Sequence, residues 1–151
     1  MTKLPPDAFV AAAFVLAVTL EWLVPLHLFP GAWPPGIFAL IGILFALMGL
    51  GLEIAAARAL VWARTTTRPG ERPAALVTDG VFAASRNPFY CGLLLLVGGL
   101  LLVLSLDWLV ILVPALWLAL DRWVVPGEER LLAEAFGADF QSYRAHTRRW
   151  L

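Results

Sequence analysis

Arg86-Asn87-Pro88-Phe89-Tyr90-Cys91-Gly92 stands where a polar stretch enters a long apolar run. The run continues to Leu106. Asp107 interrupts it, and a second apolar run carries on to Val125. Asn and Pro suit the start of a helix, as N-cap and first-turn residues. The break Ser105-Leu106-Asp107 is so short that the two helices it joins must be antiparallel neighbours, with Asp107 placed to cap the second. Glu128-Glu129 follows just past the second run. Polar residues therefore gather at the two open ends of one apolar helical hairpin.

Working outward, the same character extends to the N-terminal half. Hydrophobic residues make up 61% of the 151-residue chain, and its mean hydropathy is +0.83. Soluble domains are nearer to about half apolar. Segments 8–26, 36–60, 89–106 and 108–125 are each apolar enough to cross a bilayer, which takes about 20 helical residues. The first is not a signal peptide, because Asp7 flanks it and another span follows at once. The expected fold is all-α and integral to a membrane. Four transmembrane helices form one domain, with a tight C-terminal hairpin, a polar loop over 61–88 and a short helical tail over 126–151. Gly137 is placed to break the tail.

Charge orients this arrangement. All eleven Lys and Arg residues fall on one side of a four-helix layout: Lys3, then Arg58 to Arg86, then Arg122 to Arg149. The connections around His27–Pro35 and Ser105–Asp107 carry none. The positive-inside rule then makes both termini and the 64–88 loop cytoplasmic. The expected location is a bacterial inner membrane. Trp22, Trp33 and Trp108 fall near the outer face, and Trp62 and Trp123 near the inner one. The connection between the first two helices, Pro30-Gly31 to Pro34-Pro35-Gly36, is rich in turn residues.

Several function classes are excluded. Net charge is zero, so nothing points to nucleic acid. Cys91 is the single cysteine, so no intrachain disulfide forms. His27 and His146 lie far apart in sequence, and no metal-ligand cluster is visible. The candidate site residues each have a plain reading as well. Arg86 can anchor a helix at the interface, Asn87-Pro88 can cap, Tyr90 can belong to an aromatic belt, and Gly92 can pack helices. Glu128 and Glu129 can complement a helix dipole. Their meeting at one mouth of one hairpin favours a site. Glu21 and Glu53 lie inside apolar segments, where acids are costly and often functional, though both fall within about two turns of a face.

Leu76-Val77-Thr78-Asp79-Gly80-Val81-Phe82, Arg86 to Gly92, Glu128-Glu129, Phe136-Gly137 and Tyr143 together resemble the isoprenylcysteine carboxyl methyltransferase and phospholipid methyltransferase superfamily. The resemblance covers about residues 74–150. It implies an integral-membrane methyltransferase that uses S-adenosylmethionine. By position it implies that Ala75, Leu76 and Val77 line the cofactor cleft. Phe82, Asn87, Pro88 and Tyr90 would contact the cofactor, Glu128 and Glu129 would hold it, and Arg86 would be the catalytic residue at the reacting centre. The acceptor implied is a lipophilic small molecule or lipid, reached from the bilayer.

Two departures narrow that acceptor. The carboxyl methyltransferases usually read Arg-His-Pro where this chain has Arg86-Asn87-Pro88, and Asn-Pro is closer to the phospholipid N-methyltransferases. They also tend to carry a substrate-binding arginine where Val124 stands, with Arg122 only nearby. Both point away from a prenylcysteine carboxylate. Two other classes stay open. One is a relative of the sterol-type NADPH-dependent membrane reductases, although the longer helical core and a basic cluster for a 2′-phosphate are missing. The other is a non-catalytic membrane subunit in which the motif only caps and packs.

Overall fold

The computed structural model describes residues 6–26, 35–68 and 70–151. Among them every regular element is helical: α1 (Pro6–Leu23), α2 (Pro35–Trp62), α3 (Val81–Ala84), α4 (Pro88–Leu104), α5 (Leu109–Ala119), a π-helical turn (Leu120–Val124) and α6 (Val125–His146). The expected all-α class is what forms. Lys3, His27, Trp33 and the Pro30–Pro34 part of the first connection lie outside the described residues.

Among the described residues two helices are long and apolar enough to cross a membrane, Gly36–Trp62 and Leu109–His146, while Ala8–Leu23 and Pro88–Leu104 are shorter apolar helices. With 28 residues, α2 spans roughly 42 Å, more than a bilayer's hydrocarbon core. Its outer face, including Leu40, Leu44, Leu47, Met48 and Ile54, is exposed. In water that face would be a large unpaid hydrophobic surface; against lipid it costs nothing.

The hairpin break forms as expected, but by a different device. Ser105 ends α4 in the left-handed region (φ 54°), and the Leu106 N–H donates back to the Leu101 carbonyl at 3.2 Å. This is a Schellman-like closure. Asp107 is buried, and the N-cap of α5 falls one residue later, on Trp108.

The tail differs from its expectation. The helix that begins in the fourth apolar segment does not stop before Pro126. It runs on into α6 through the π-helical turn, where the Val125 N–H donates to the Leu120 carbonyl. Pro126 has no N–H to give to a helical bond, so the chain widens by one residue just before it and carries on. The break comes at Gly137, as read, where φ 50° and ψ −117° kink the helix.

The most extensive packing joins α2 to α4 rather than α4 to α5. Four glycines set it. A Cβ on Gly42 would lie 2.6 Å from the Gly99 carbonyl oxygen, and one on Gly49 would lie 2.5 Å from that of Gly92. Gly42 with Gly99, and Gly49 with Gly92, make an antiparallel register spaced by seven residues, two turns on each helix. Only glycine permits backbones this close. On the other side α1 packs against α5, with Phe9 stacked on Trp123 (centroids 6.5 Å) and Trp108 Nε1 donating to the Val24 carbonyl at 2.8 Å. Ala17, Val97, Leu101 and Leu109 form one core cluster, and Tyr90, Leu116, Leu120 and Val125 another. The helices alternate in direction, so the end of α2, the start of α4 and the start of α6 meet at one end. Every arginine of the chain belongs to that end or lies beyond it.

Candidate functional site

A cavity of about 510 Å³ opens at that end, within the range of small-molecule and cofactor sites. Ala75, Leu76, Val77, Phe82, Arg86, Asn87, Pro88, Tyr90, Glu128 and Glu129 all line it. Sequence reasoning singled out each of them, and the fold brings them together from the loop, α3, α4 and α6. Glu53 joins from α2. Glu21 and Arg122 do not reach it.

Segment 85–87 is the floor, and its geometry comes from far along the chain. The Arg86 N–H donates to the Arg148 carbonyl at 2.8 Å. The Ser85 hydroxyl donates to the Arg149 carbonyl at 3.0 Å and accepts the Asn87 N–H at 3.1 Å. Asn87 does occupy the N-cap position of α4, with Pro88 following, but its side chain makes no cap bond. The Asn87 amide donates instead to the Arg149 carbonyl at 3.0 Å. The residue chosen for capping thus ties the floor to residues 148–149.

The Arg86 guanidinium is engaged by the protein itself. Its Nε and Nη2 donate to Glu129 Oε1 at 3.2 and 2.8 Å. Its Nη1 donates to the carbonyls of Arg144 and Thr147. Arg149 grips the same acid from the other side, Nε to Oε1 at 3.1 Å and Nη2 to Oε2 at 2.7 Å. Arg149 Nη1 and Trp150 Nε1 both donate to Asp121 Oδ1, at 3.0 and 2.9 Å. Glu129 is therefore saturated between two arginines. Its side chain and that of Arg86 are each only 10% exposed, the setting in which removing one partner is costly.

Glu128, its neighbour, has the opposite environment. Its Oε1 accepts the Tyr90 hydroxyl at 2.6 Å, and that is its only hydrogen bond among the described residues. Both acids lie beyond the apolar stretch that ends at Val125. Burial pushes the Glu128 carboxyl above its ordinary value, against the Tyr90 bond. Burial acts on Glu129 too, but the bonds and charges of Arg149 and Arg86 outweigh it and hold Glu129 below the usual range. Tyr143 is pushed up to about 12 by burial, against the Arg86 charge. It stays a neutral donor, and its hydroxyl bonds to the Phe82 carbonyl at 2.7 Å.

The sequence left part of this site unread. Thr65, Thr66, Thr67, Arg68, Gly70, Glu71 and Pro73 also line the cavity. Their segment folds on itself: Thr65 Oγ1 accepts the N–H groups of Ala74 and Ala75 at 2.9 and 3.3 Å, and the Thr66 hydroxyl donates to Glu71 at 2.6 Å. The ion-pair roles of Asp121 and Arg149 were missed as well. The only signal was a basic and aromatic cluster, Arg148-Arg149-Trp150, at one end of a polar tail.

Among the described residues the structure is all-helical, two helices are of membrane length and a cavity mixes carboxylates with apolar walls, an architecture that defines a membrane-associated helical protein. Residues 37–139 match the family model described as phospholipid methyltransferase, and the chain belongs to that family. Membership indicates a membrane methyltransferase with a lipid substrate. No curated protein and no solved structure matches the chain.

Proposed function

We propose that this protein is an integral-membrane methyltransferase dependent on S-adenosylmethionine, acting on a lipophilic or lipid-like acceptor. It would cross the bilayer four times with both termini in the cytoplasm. The observation that carries this reading is the contrast between the two adjacent acids on one cavity wall. Glu129 is spent on Arg86 and Arg149, whereas Glu128 holds only the Tyr90 hydroxyl and keeps acceptor capacity toward the cavity.

The lining suits the cofactor by its donor set. A carboxylate beside aromatic faces fits a ligand that carries an ammonium, ribose hydroxyls and an adenine. In this reading Glu128 accepts from the ammonium or ribose, Phe82 and Tyr90 flank the flat or cationic parts, and Ala75, Leu76 and Val77 form the apolar side. Asn87 and Pro88 shape the floor. When bound, the cofactor supplies an electrophilic methyl group whose leaving group is neutral. The chain is then left with little acid catalysis to do; it holds the partners in line and excludes water. Leu60, Phe89, Leu93 and Leu132 supply the water-poor side where a lipid acceptor fits.

Arg86, read from the sequence as the catalytic residue, acts here through Glu129 and the floor beside the reacting centre. The NADPH reductase reading gains no support from the lining. Of its arginines, Arg86 is engaged by Glu129 and Arg68 by Glu71, which leaves a 2′-phosphate poorly served.

Calorimetry on detergent-purified protein tests the reading. S-adenosylmethionine should bind, and a nicotinamide dinucleotide should not. Tight dinucleotide binding with no response to S-adenosylmethionine would sink it.

A further inference from the structure

A second hollow, of about 790 Å³, lies beside the cavity, and Leu76 and Val77 line both. From α2 the hollow takes Ala55, Arg58, Ala59 and Trp62, whereas the cavity takes Glu53 and Leu60. At about 100° per residue, Glu53 and Arg58 leave the helix roughly 140° apart. The hollow therefore opens on a different side of α2. Apart from that shared wall it holds none of the residues read for methyl transfer.

Arg58 singles the hollow out. It stands one turn before the end of α2 at Trp62, is exposed, and forms no ion pair among the described residues. Its guanidinium lies over the Trp62 ring, 5.5 Å from the centroid, a contact that holds the cation without consuming its hydrogen-bond donors. Ala55 and Ala59 present only methyl groups beside it, which leaves room for a ligand. Away from the hollow the same side of α2 stays bare. Leu47 and Ile54 are exposed, and nothing lies within 4 Å of a carbon added to Gly51. Leu47, Gly51, Ile54, Arg58 and Trp62 follow at steps of three and four residues, so they form one stripe. From Leu47 to Arg58 it rises about 16 Å, close to half the hydrocarbon thickness of a bilayer.

We infer that the hollow seats one phospholipid of the surrounding leaflet, with its anionic phosphodiester on Arg58 and an acyl chain along the Leu47–Ile54 stripe. The inference rests on the reading of α2 as a membrane span and not on methyl transfer; the lipid is held, not reacted. Charge favours an anionic lipid. Residues 58–79 carry Arg58, Arg64, Arg68 and Arg72 against Glu71 and Asp79, and Glu71 is taken by Arg68. Asp79 lines the hollow, so the best head carries one negative charge and hydroxyls that can donate to a carboxylate. A zwitterionic head brings a cation to Asp79 but no net charge to a net-positive surface. Arg58 and Trp62 as a plain interface anchor would ask for no particular lipid.

The test uses the full chain in a neutral detergent, titrated with three lipids of identical dioleoyl chains: phosphatidylglycerol, phosphatidylethanolamine and diacylglycerol. Native mass spectrometry counts the protein that retains one lipid. Wild-type protein should hold phosphatidylglycerol at least about fivefold more tightly than either of the others, the scale of one basic residue beside an anionic headgroup. Arg58→Gln should bring all three to within about twofold of one another, and Arg58→Lys should restore part of the preference. Arg64→Gln removes the same charge from the same helix end but not from the hollow, and should keep the preference. Equal losses in Arg58→Gln and Arg64→Gln would reveal diffuse surface charge and overturn the inference. So would a wild-type protein that does not prefer phosphatidylglycerol, a result that needs no variant to fold. Displacement of the lipid by about a hundredfold excess of glycerol 1-phosphate, the head without chains, would make this a soluble-phosphate site and overturn it too.

A second measurement locates the lipid. Phosphatidylglycerol brominated close to the ester should quench wild-type tryptophan fluorescence more than brominated diacylglycerol does. Trp62→Phe keeps an aromatic face for Arg58 and should abolish that excess; an excess that survives puts the lipid elsewhere and overturns the seat. S-adenosylmethionine affinity should stay within about twofold of wild type in Arg58→Gln, and a larger loss would merge hollow and cavity and overturn a separate seat. A lipid preference that depends on Arg58, in protein that ignores S-adenosylmethionine, would uphold the seat and remove the methyl-transfer reading.

Discussion

Gly49 and Gly92 face each other so closely that a Cβ on either would lie 2.5 to 2.6 Å from the other's carbonyl oxygen. This contact aligns α2 with α4 and, one turn further, brings Glu53 to the cavity. Stability and site geometry therefore share one seam.

Gly92→Ala should destabilise the protein by about 1–3 kcal/mol, the usual cost of overpacking, and more if the helices separate. Its new methyl would meet backbone atoms, which cannot swing away. Gly98→Ala is the control, since nothing lies within 4 Å of its added carbon; it should be neutral or slightly stabilising. Thermal unfolding in one detergent compares them. Equal melting temperatures would show that the seam tolerates a methyl group.

Arg86→Lys separates an interface anchor from a shaped ion pair. Lysine keeps the charge and can snorkel, but it cannot reproduce the fork on Glu129 together with the bonds to Arg144 and Thr147. The variant should lose about 1–3 kcal/mol of stability and, on an identified acceptor, at least about tenfold in methyl transfer. Full stability and turnover would reduce Arg86 to an anchor.

Glu128→Ala should weaken S-adenosylmethionine binding by about 1–3 kcal/mol, the scale of a lost charged hydrogen bond. It should fold normally, because Glu128 makes no ion pair among the described residues. An unchanged dissociation constant by calorimetry would remove Glu128 from the cofactor site.

The two adjacent acids should act oppositely on the pH dependence of stability. The Glu128 pKa is raised above its ordinary 4.5, so the folded state holds that proton more tightly than the unfolded one. Its contribution is full below 4.5 and is lost as pH rises through the higher folded value. The Glu129 pKa is lowered from 4.5, so its contribution is full above 4.5 and is lost as pH falls through the lower folded value. Glu128→Gln should flatten the decline above 4.5, and Glu129→Gln the decline below it. Denaturant midpoints from pH 3 to 8 read both slopes, and parallel profiles for the two variants would contradict the assigned environments.

Reporter fusions at Pro34 and Thr66 should read opposite sides of the membrane if α2 spans it, as the one-sided arginines imply. The same side at both points would remove that span.

Much of this protein follows from local properties of the chain. Long apolar runs with few charges make membrane-length helices whatever their neighbours, and Ser105-Leu106-Asp107 is too short for anything but a reversal. Asn87-Pro88 marks the start of α4 by backbone preference alone. The lining of the cavity by Ala75 to Glu129 was legible because an ordered motif carries its own spacing. Tertiary structure decided the partners. Whether Asn87 caps its own helix or holds Arg149, and whether Arg86 faces a ligand or Glu129, depends on residues 43 to 62 positions away. The pairing of Gly49 with Gly92 depends on how two apolar helices settle against each other. In both apolar helices the composition is nearly uniform around the axis, so periodicity does not mark a packed face. Only the close approach of two backbones distinguishes a glycine that packs from one that merely lacks a side chain.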